Sequence, residues 1–392
     1  MSVHRGTTSV TLLACAVIAA GGVAVSPATA SSVANAAATS ATLPLRPAPG
    51  AGTAVRVAPL AAGLGLAGSG RSVRLWYRST SWSGRPSLVT GTLDVPAGRP
   101  PKGGWPVISY AHGATGVGDS CAPSITGHWG AEKTVLEALL ADGYAIAATD
   151  YEGLGTPGPS FPGQGTSEAF DIIDIVRAAR TVAPLSRHWA AVGYSLGGHA
   201  ALFTAALAAR YAPSLDLRGS IALAPVTQWR LQMQGPQSRD PGFPVDFNAL
   251  YWATSASVRF PTRFVPEQLL TPRGLELVDQ ARELCVPDMI ATVAGVTNGD
   301  VYRDPAAAAD LVADLMSGDE VPITRYPRPV RVIQGDADPL SALTSVTVAQ
   351  LTAAGNDVVY VPVEGADHLT LPAVAVPQVR TWVRELFSTP SS

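Results

Sequence analysis

An apolar tetrad, Trp189-Ala190-Ala191-Val192, runs into Gly193-Tyr194-Ser195-Leu196-Gly197-Gly198 and then into the Ala-rich stretch from His199 to Arg210. The tetrad reads as a buried strand and the Ala-rich stretch as a helix. Strand, tight turn and helix therefore follow one another with no loop between them, and a serine stands at the apex. Gly193 and Gly197 leave room for so strained a turn. The helix would aim its first N–H groups at negative charge formed beside Ser195. Such a feature belongs in a sheet whose strands alternate with helices.

That alternation is visible along the chain. Short apolar segments from Val73 to Ser79, Leu88 to Val95 and Val107 to Tyr110 read as strands separated by turn residues. A helix from Ala131 to Ala141, a strand from Tyr144 to Thr149 and a helix from Thr166 to Val182 follow, then the serine turn and a strand from Gly219 to Ala224. After a break the pattern resumes with strand Val330 to Gln334, helix Ser341 to Ala354, strand Asp357 to Val363 and a helix from Val374 to Phe387. The expected class is α/β, with a mostly parallel central sheet covered by helices on both faces. The break, residues 226–325, lacks strand alternation and is rich in Pro, Gln and aromatics such as Trp229, Phe243, Phe247, Tyr251, Trp252, Phe260 and Phe264. It is too long for a loop and reads as a helical cap over the carboxyl edge of the sheet, where open α/β folds bind ligands. The core then comprises residues 49–225 and 326–392.

Residues 1–30 read as an export signal. His4 and Arg5 precede an uncharged apolar stretch from Val10 to Val25, and Ala28-Thr29-Ala30 supplies a small-x-small cleavage pattern near Ala30. The stretch falls short of the roughly 20 apolar residues of a membrane span, so no integral membrane segment is expected after cleavage. Residues 31–48, rich in Ala, Ser, Thr and Pro, read as a flexible leader. Removal of the signal deletes Cys15 and leaves Cys121 and Cys285 in a chain bound for an oxidising compartment. They are expected to pair; two separate buried thiols are the alternative. A net charge of −3, with no run of Lys or Arg, excludes a nucleic-acid partner. Of 392 residues, 47% are apolar, enough for a substantial core.

A serine hydroxyl is a weak nucleophile unless a base lies within hydrogen-bond reach and a third group orients that base. On a parallel sheet with a serine turn, the acid and then the base follow at later strand ends. Gly335-Asp336-Ala337-Asp338-Pro339 follows the strand ending at Gln334, and Gly365-Ala366-Asp367-His368 follows the strand ending at Val363. His368 is the expected base. His4 lies in the signal, His188 precedes the serine strand, His128 falls on a polar loop, His112 sits in the loop after the third strand, and His199 is expected to be buried and hydrogen-bonded. Asp338 is the preferred acid, with Asp336 the alternative. The N–H groups of Leu196 and Ala114 are the expected oxyanion donors, the latter within His112-Gly113-Ala114-Thr115-Gly116. Asp150 and Glu152 read as structural hydrogen-bond partners and Asp367 as a turn residue. No His or Cys pair has ligand spacing, so neither metal nor cofactor is expected.

Five stretches together are similar to the secretory lipases of fungi and actinobacteria, including the yeast lipase A type, within the α/β-hydrolase superfamily. They are Ser109 to Gly116, Asp119 to Ser124, Asp150 to Gly155, Gly193 to Ala200 and Ala366 to Thr370. The resemblance runs from about Pro49 to Phe387. It implies an α/β-hydrolase fold with a helical cap over an acyl-binding tunnel, a Ser195, Asp338 and His368 triad, a Cys121 to Cys285 bridge, and hydrolysis of acylglycerols and simpler esters. The partners it implies are an acyl ester or lipid, with transient contact at a lipid–water interface. A lactone, secondary-metabolite ester or peptide is the alternative substrate, and the intact serine, aspartate and histidine argue against a non-catalytic scaffold. Where the yeast type carries an acidic residue near the oxyanion loop, this chain reads His112-Gly113-Ala114-Thr115.

Overall fold

A computed structural model describes residues 46–388. The expected export signal and residues 31–45 of the leader lie outside the described residues. One nine-stranded sheet carries the fold, in the order β1-β2-β3-β5-β4-β6-β7-β8-β9. Its strands are β1 Ala54–Pro59, β2 Ser69–Thr80, β3 Pro86–Pro96, β4 Trp105–Ala111, β5 Ala145–Thr149, β6 Leu185–Tyr194, β7 Asp216–Leu223, β8 Val330–Gly335 and β9 Val358–Val363. β1, β2 and β3 pair antiparallel and β3 joins β5 antiparallel; every neighbouring pair from β5 to β9 is parallel. The parallel half needs crossovers, and the longer helices supply them: α1 Gly130–Ala141, α2 Gly165–Arg180, α3 Leu196–Tyr211 and, after β8, α7 Ser341–Ala353.

Successive side chains of a strand point to opposite faces, and β6 shows what that does here. Trp189 and Ala191 pack with Phe170, Ile173 and Ile175 of α2 and with Ala201 and Tyr211 of α3. Ala190 and Val192 pack on the other face with Leu136 and Leu139 of α1 and with Val379 and Val383 of the C-terminal helix Leu371–Ser388. The sheet is thus buried between two helical layers, which is why its central strands read as continuous apolar runs.

The sequence pattern does not reveal β1. Its Val55 and Val57 face outward, 53% and 41% exposed, so no inward apolar alternation marks this edge strand. Its Arg56 lies over the Trp76 ring, 4.5 Å from the centroid, and Arg74 lies over the same ring at 4.6 Å.

Between β7 and β8 the described chain is helical, with α4 Phe247–Arg259, α5 Pro272–Ala281, α6 Pro305–Leu315 and shorter turns among them. Only isolated bridges occur within it, Pro244 with Thr297 and Leu270 with Tyr302. The segment has its own apolar cluster, in which Leu250, Tyr251, Trp252, Phe264, Leu277, Met289 and Leu315 are buried. Three of the aromatics noted in the sequence are therefore committed to its internal packing, while Phe243, Phe247 and Phe260 are only half-buried. The segment is tied to the sheet loops by the Cys121–Cys285 disulfide, by Val286 N–H donating to the Thr115 carbonyl (2.9 Å), and by contact of His199 Nε2 with the Asp319 carbonyl (2.8 Å).

Candidate active site

Ser195 stands between β6 and α3 with φ of 56° and ψ of −117°, a conformation costly for a residue with a Cβ. The turn is over-determined by its neighbours. Ser195 N–H donates to Leu223 O at 2.9 Å, and its carbonyl accepts from His199 N–H (3.1 Å) and Val226 N–H (3.3 Å). A Cβ on Gly193 would stand 2.0 Å from the Gly197 carbonyl oxygen, and one on Gly197 would stand 1.9 Å from that of Ala111. Those distances are far inside contact, so the two glycines are required by backbone crowding and not only by conformational freedom.

His368 arrives from the turn after β9, and its Nε2 lies 2.9 Å from Ser195 Oγ. Its Nδ1 lies 2.7 Å from Asp338 Oδ2. The carboxylate accepts Nδ1–H, which leaves Nε2 as the acceptor for the serine hydroxyl. Asp338 is 3% exposed, and both its oxygens are engaged: Oδ2 also accepts from Gln334 Nε2 (2.7 Å) and Oδ1 accepts from Leu340 N–H (2.9 Å). Gln334 is in turn fixed by Thr344, whose hydroxyl donates to its amide oxygen at 2.9 Å. Asp336, the alternative acid, instead accepts from Gly365 N–H at 2.7 Å. Asp367 caps its own turn by accepting from Thr370 N–H and its hydroxyl. Behind the imidazole, the Tyr194 ring lies 5.2 Å away and its hydroxyl donates to the His368 carbonyl at 2.8 Å.

Leu196 opens α3, where an N–H has no intrahelical acceptor, and it meets no other acceptor among the described residues. In the loop after β4, Gly113 N–H is occupied by Glu132 Oε2 at 3.3 Å, whereas Ala114 N–H has no acceptor among the described residues. The loop is pinned around that free amide: the Tyr151 hydroxyl donates to the His112 carbonyl at 3.0 Å, and His112 Nδ1 lies 2.6 Å from the Gly113 carbonyl. Gln334, Tyr194 and Glu132 were not singled out from the sequence. Only Gln334 carried a signal, as the last strand residue before the acidic turn.

The remaining polar groups fall largely into structural roles. Asp150 accepts from Ser124 N–H (2.9 Å), and Glu152 accepts from Trp82 N–H (3.1 Å) and the Ser167 hydroxyl (3.3 Å). His188 pairs with Asp216 at 2.8 Å. His199 is fully buried; burial opposes its charge, but Glu168, 3.7 Å from Nδ1, and the Asp319 carbonyl raise its pKa above the ordinary histidine value. His128 is on the loop before α1 and half-buried; its ring nitrogens are enclosed without a hydrogen-bond partner among the described residues, edge-on to Tyr110, and burial lowers its pKa to about 3.

A sequence model of the family described as Secretory lipase matches residues 120–234, which span Cys121, the serine turn and the start of the helical segment. The chain is 26% identical over 342 residues to a probable inactive lipase of Mycobacterium tuberculosis, covering 81% of this chain and 74% of that one. It is 25% identical over 341 residues to Lipase A of Moesziomyces aphidis, covering 78% and 70%. The chain is related to the secretory lipases. Its fold is that of Candida antarctica lipase A in its closed state, with a TM-score of 0.72 at 20% identity over 87% of this chain and 84% of that one. The rice cell wall degrading esterase LipA from Xanthomonas oryzae shares it too, with a TM-score of 0.68 at 18% identity over 85% and 96%. These likenesses make the architecture that of an α/β-hydrolase. No helix among the described residues is long and apolar enough to cross a membrane.

Proposed function

We propose that this chain is an exported carboxylic ester hydrolase that works through an acyl-enzyme on Ser195, with acylglycerols as its substrate class. The observation that carries the reading is the unbroken relay from Ser195 Oγ through His368 to Asp338, at 2.9 and 2.7 Å, beside two backbone N–H groups with no acceptor among the described residues. In this reading Ser195 Oγ attacks the ester carbonyl while His368 Nε2 takes its proton. The carbonyl oxygen becomes an oxyanion held by Leu196 and Ala114 N–H, and Asp338 stabilises the imidazolium. Collapse breaks the bond to the alkoxy oxygen, which leaves as the alcohol with the proton from His368. Water repeats the sequence on the acyl-enzyme, releasing the acid and restoring Ser195.

Residues 226–325 act as a cap over the site in this account, the core being residues 49–225 and 326–392. With Tyr251, Trp252 and Phe264 committed to the cap interior and Trp229, Phe247 and Phe260 packed against it, the half-buried Phe243 is the aromatic of these seven left for an acyl chain. Export rests on the signal pattern in residues 1–30, with cleavage near Ala30.

A panel of p-nitrophenyl esters of graded acyl length, triacylglycerols and aminoacyl amides tests the reading. Ester turnover is expected to exceed amide turnover by at least about a hundredfold in kcat/KM, a difference of about 2.7 kcal/mol in barrier. A preference for amides would overturn it.

A further inference from the structure

Glu132 is a carboxylate placed against the loop that supplies Ala114. It sits in the first turn of α1 and is 4% exposed, an uncommon position for a glutamate. Its Oε2 accepts from the Tyr110 hydroxyl at 2.7 Å and from Gly113 N–H at 3.3 Å. Tyr110 is itself 1% exposed, and His112 of the same loop favours the charged carboxyl electrostatically. Burial raises its pKa, and a buried carboxyl of this kind persists only where its hydrogen bonds are needed.

The position of Gly113 gives those bonds a purpose. A Cβ there would meet the Tyr194 ring at 3.0 Å and Glu132 Oε1 at 3.4 Å, so the loop is wedged between the carboxyl and the residue that precedes Ser195. Tyr194 in turn holds the His368 carbonyl. Glu132 thus touches the loop at the point where it meets the serine turn. By occupying Gly113 N–H it fixes the amide preceding Ala114, and the next N–H along the chain is the one left without an acceptor.

We infer that Glu132 is a positioning residue: its hydrogen bond to Gly113 N–H orients the loop so that Ala114 N–H points at the developing oxyanion. The inference rests on the function proposed above and adds to it a residue that never touches the substrate. An oxyanion donor acts only when it is aimed at where the charge develops, and loss of one such donor costs about 10²–10³ in kcat. Loosening a donor without removing it should cost less.

Steady-state kinetics on a p-nitrophenyl ester, with inhibition by an alkyl boronic acid that forms a tetrahedral adduct on the serine, provide the test. Glu132→Ala is expected to lower kcat about 10- to 100-fold with KM within about twofold, and to raise the boronate inhibition constant by the same factor as kcat/KM falls. Glu132→Gln keeps an acceptor oxygen for Gly113 N–H and should recover most of kcat. Should Glu132→Ala fail to fold, Glu132→Asp makes the same measurement, because its carboxylate stands about 1.5 Å short of Gly113; it should fall well below Glu132→Gln. A folded Glu132→Ala with wild-type kcat, or Glu132→Asp matching Glu132→Gln, overturns the inference. Ser195→Ala run beside them separates the two levels. If it turns over the ester at the wild-type rate the proposed function itself fails, whereas an inert Ser195→Ala beside a fully active Glu132→Ala removes only the role of Glu132.

Discussion

Ser195→Ala is expected to lower hydrolysis of a p-nitrophenyl ester by about 10⁵- to 10⁶-fold in kcat, leaving a folded protein with an unchanged melting temperature. The size follows from what the hydroxyl supplies: removing the nucleophile of a serine, histidine and aspartate unit costs about as much as removing all three, because each acts only through the others. The oxyanion donors would survive in the variant, so slow turnover above the rate in water is compatible with the account. Stability should not suffer. Ser195 Oγ makes its contact with His368, while the strained turn is held by backbone bonds to Leu223, Val226 and His199 that an alanine retains. Kinetics and thermal unfolding on the same preparation check both halves of the expectation.

Asp338→Asn should lower kcat about 10³- to 10⁴-fold, whereas Asp336→Asn should stay within about twofold of the parent. An ionised Asp338 can only accept, so it selects the imidazole tautomer with hydrogen on Nδ1. An asparagine whose amide NH₂ faces Nδ1 selects the other tautomer, putting hydrogen on Nε2 where the serine proton must go. The Leu340 N–H favours that outcome by claiming the acceptor at Oδ1, whereas Gln334 Nε2 donates to the same Oδ2 that contacts His368. An asparagine oxygen at the Oδ1 position keeps the Leu340 bond and turns its NH₂ to the imidazole and Gln334; an oxygen at the Oδ2 position faces its NH₂ against the Leu340 N–H, so either way a donor loses its acceptor. Asp336 has no such tie, since its contact is Gly365 N–H, which an asparagine oxygen still accepts. Equal losses from the two substitutions would remove Asp338 from its assigned role.

The contrast between these neighbouring aspartates marks where sequence reading stops. Spacing places both within one turn after β8, and only the direction each side chain takes separates them. The serine turn is legible because its demands are local: an apolar strand, glycines wherever a Cβ would strike backbone, and a helix without a breaker. The central sheet is legible because burial on both faces leaves uninterrupted apolar runs. β1 is not, since its valines face outward and its pairing with β2 is made by backbone. The enclosure of the His128 ring is not legible, because its sequence neighbours say nothing of Tyr110, which lies edge-on to it. Glu132 is hidden for a related reason. An acidic residue in a first helical turn is explained by the helix dipole alone, and its partners Tyr110 and Gly113 come from another element.

Mass spectrometry of the folded protein after exposure to a fluorophosphonate tests the central claim most directly, since only a serine whose base and oxyanion donors are assembled displaces fluoride at a useful rate. The account predicts one phosphonyl adduct per chain, located by peptide mapping on Ser195, and none on Ser195→Ala or on protein unfolded beforehand. Folded protein that remains unlabelled, or a label on another serine that persists in Ser195→Ala, would contradict it.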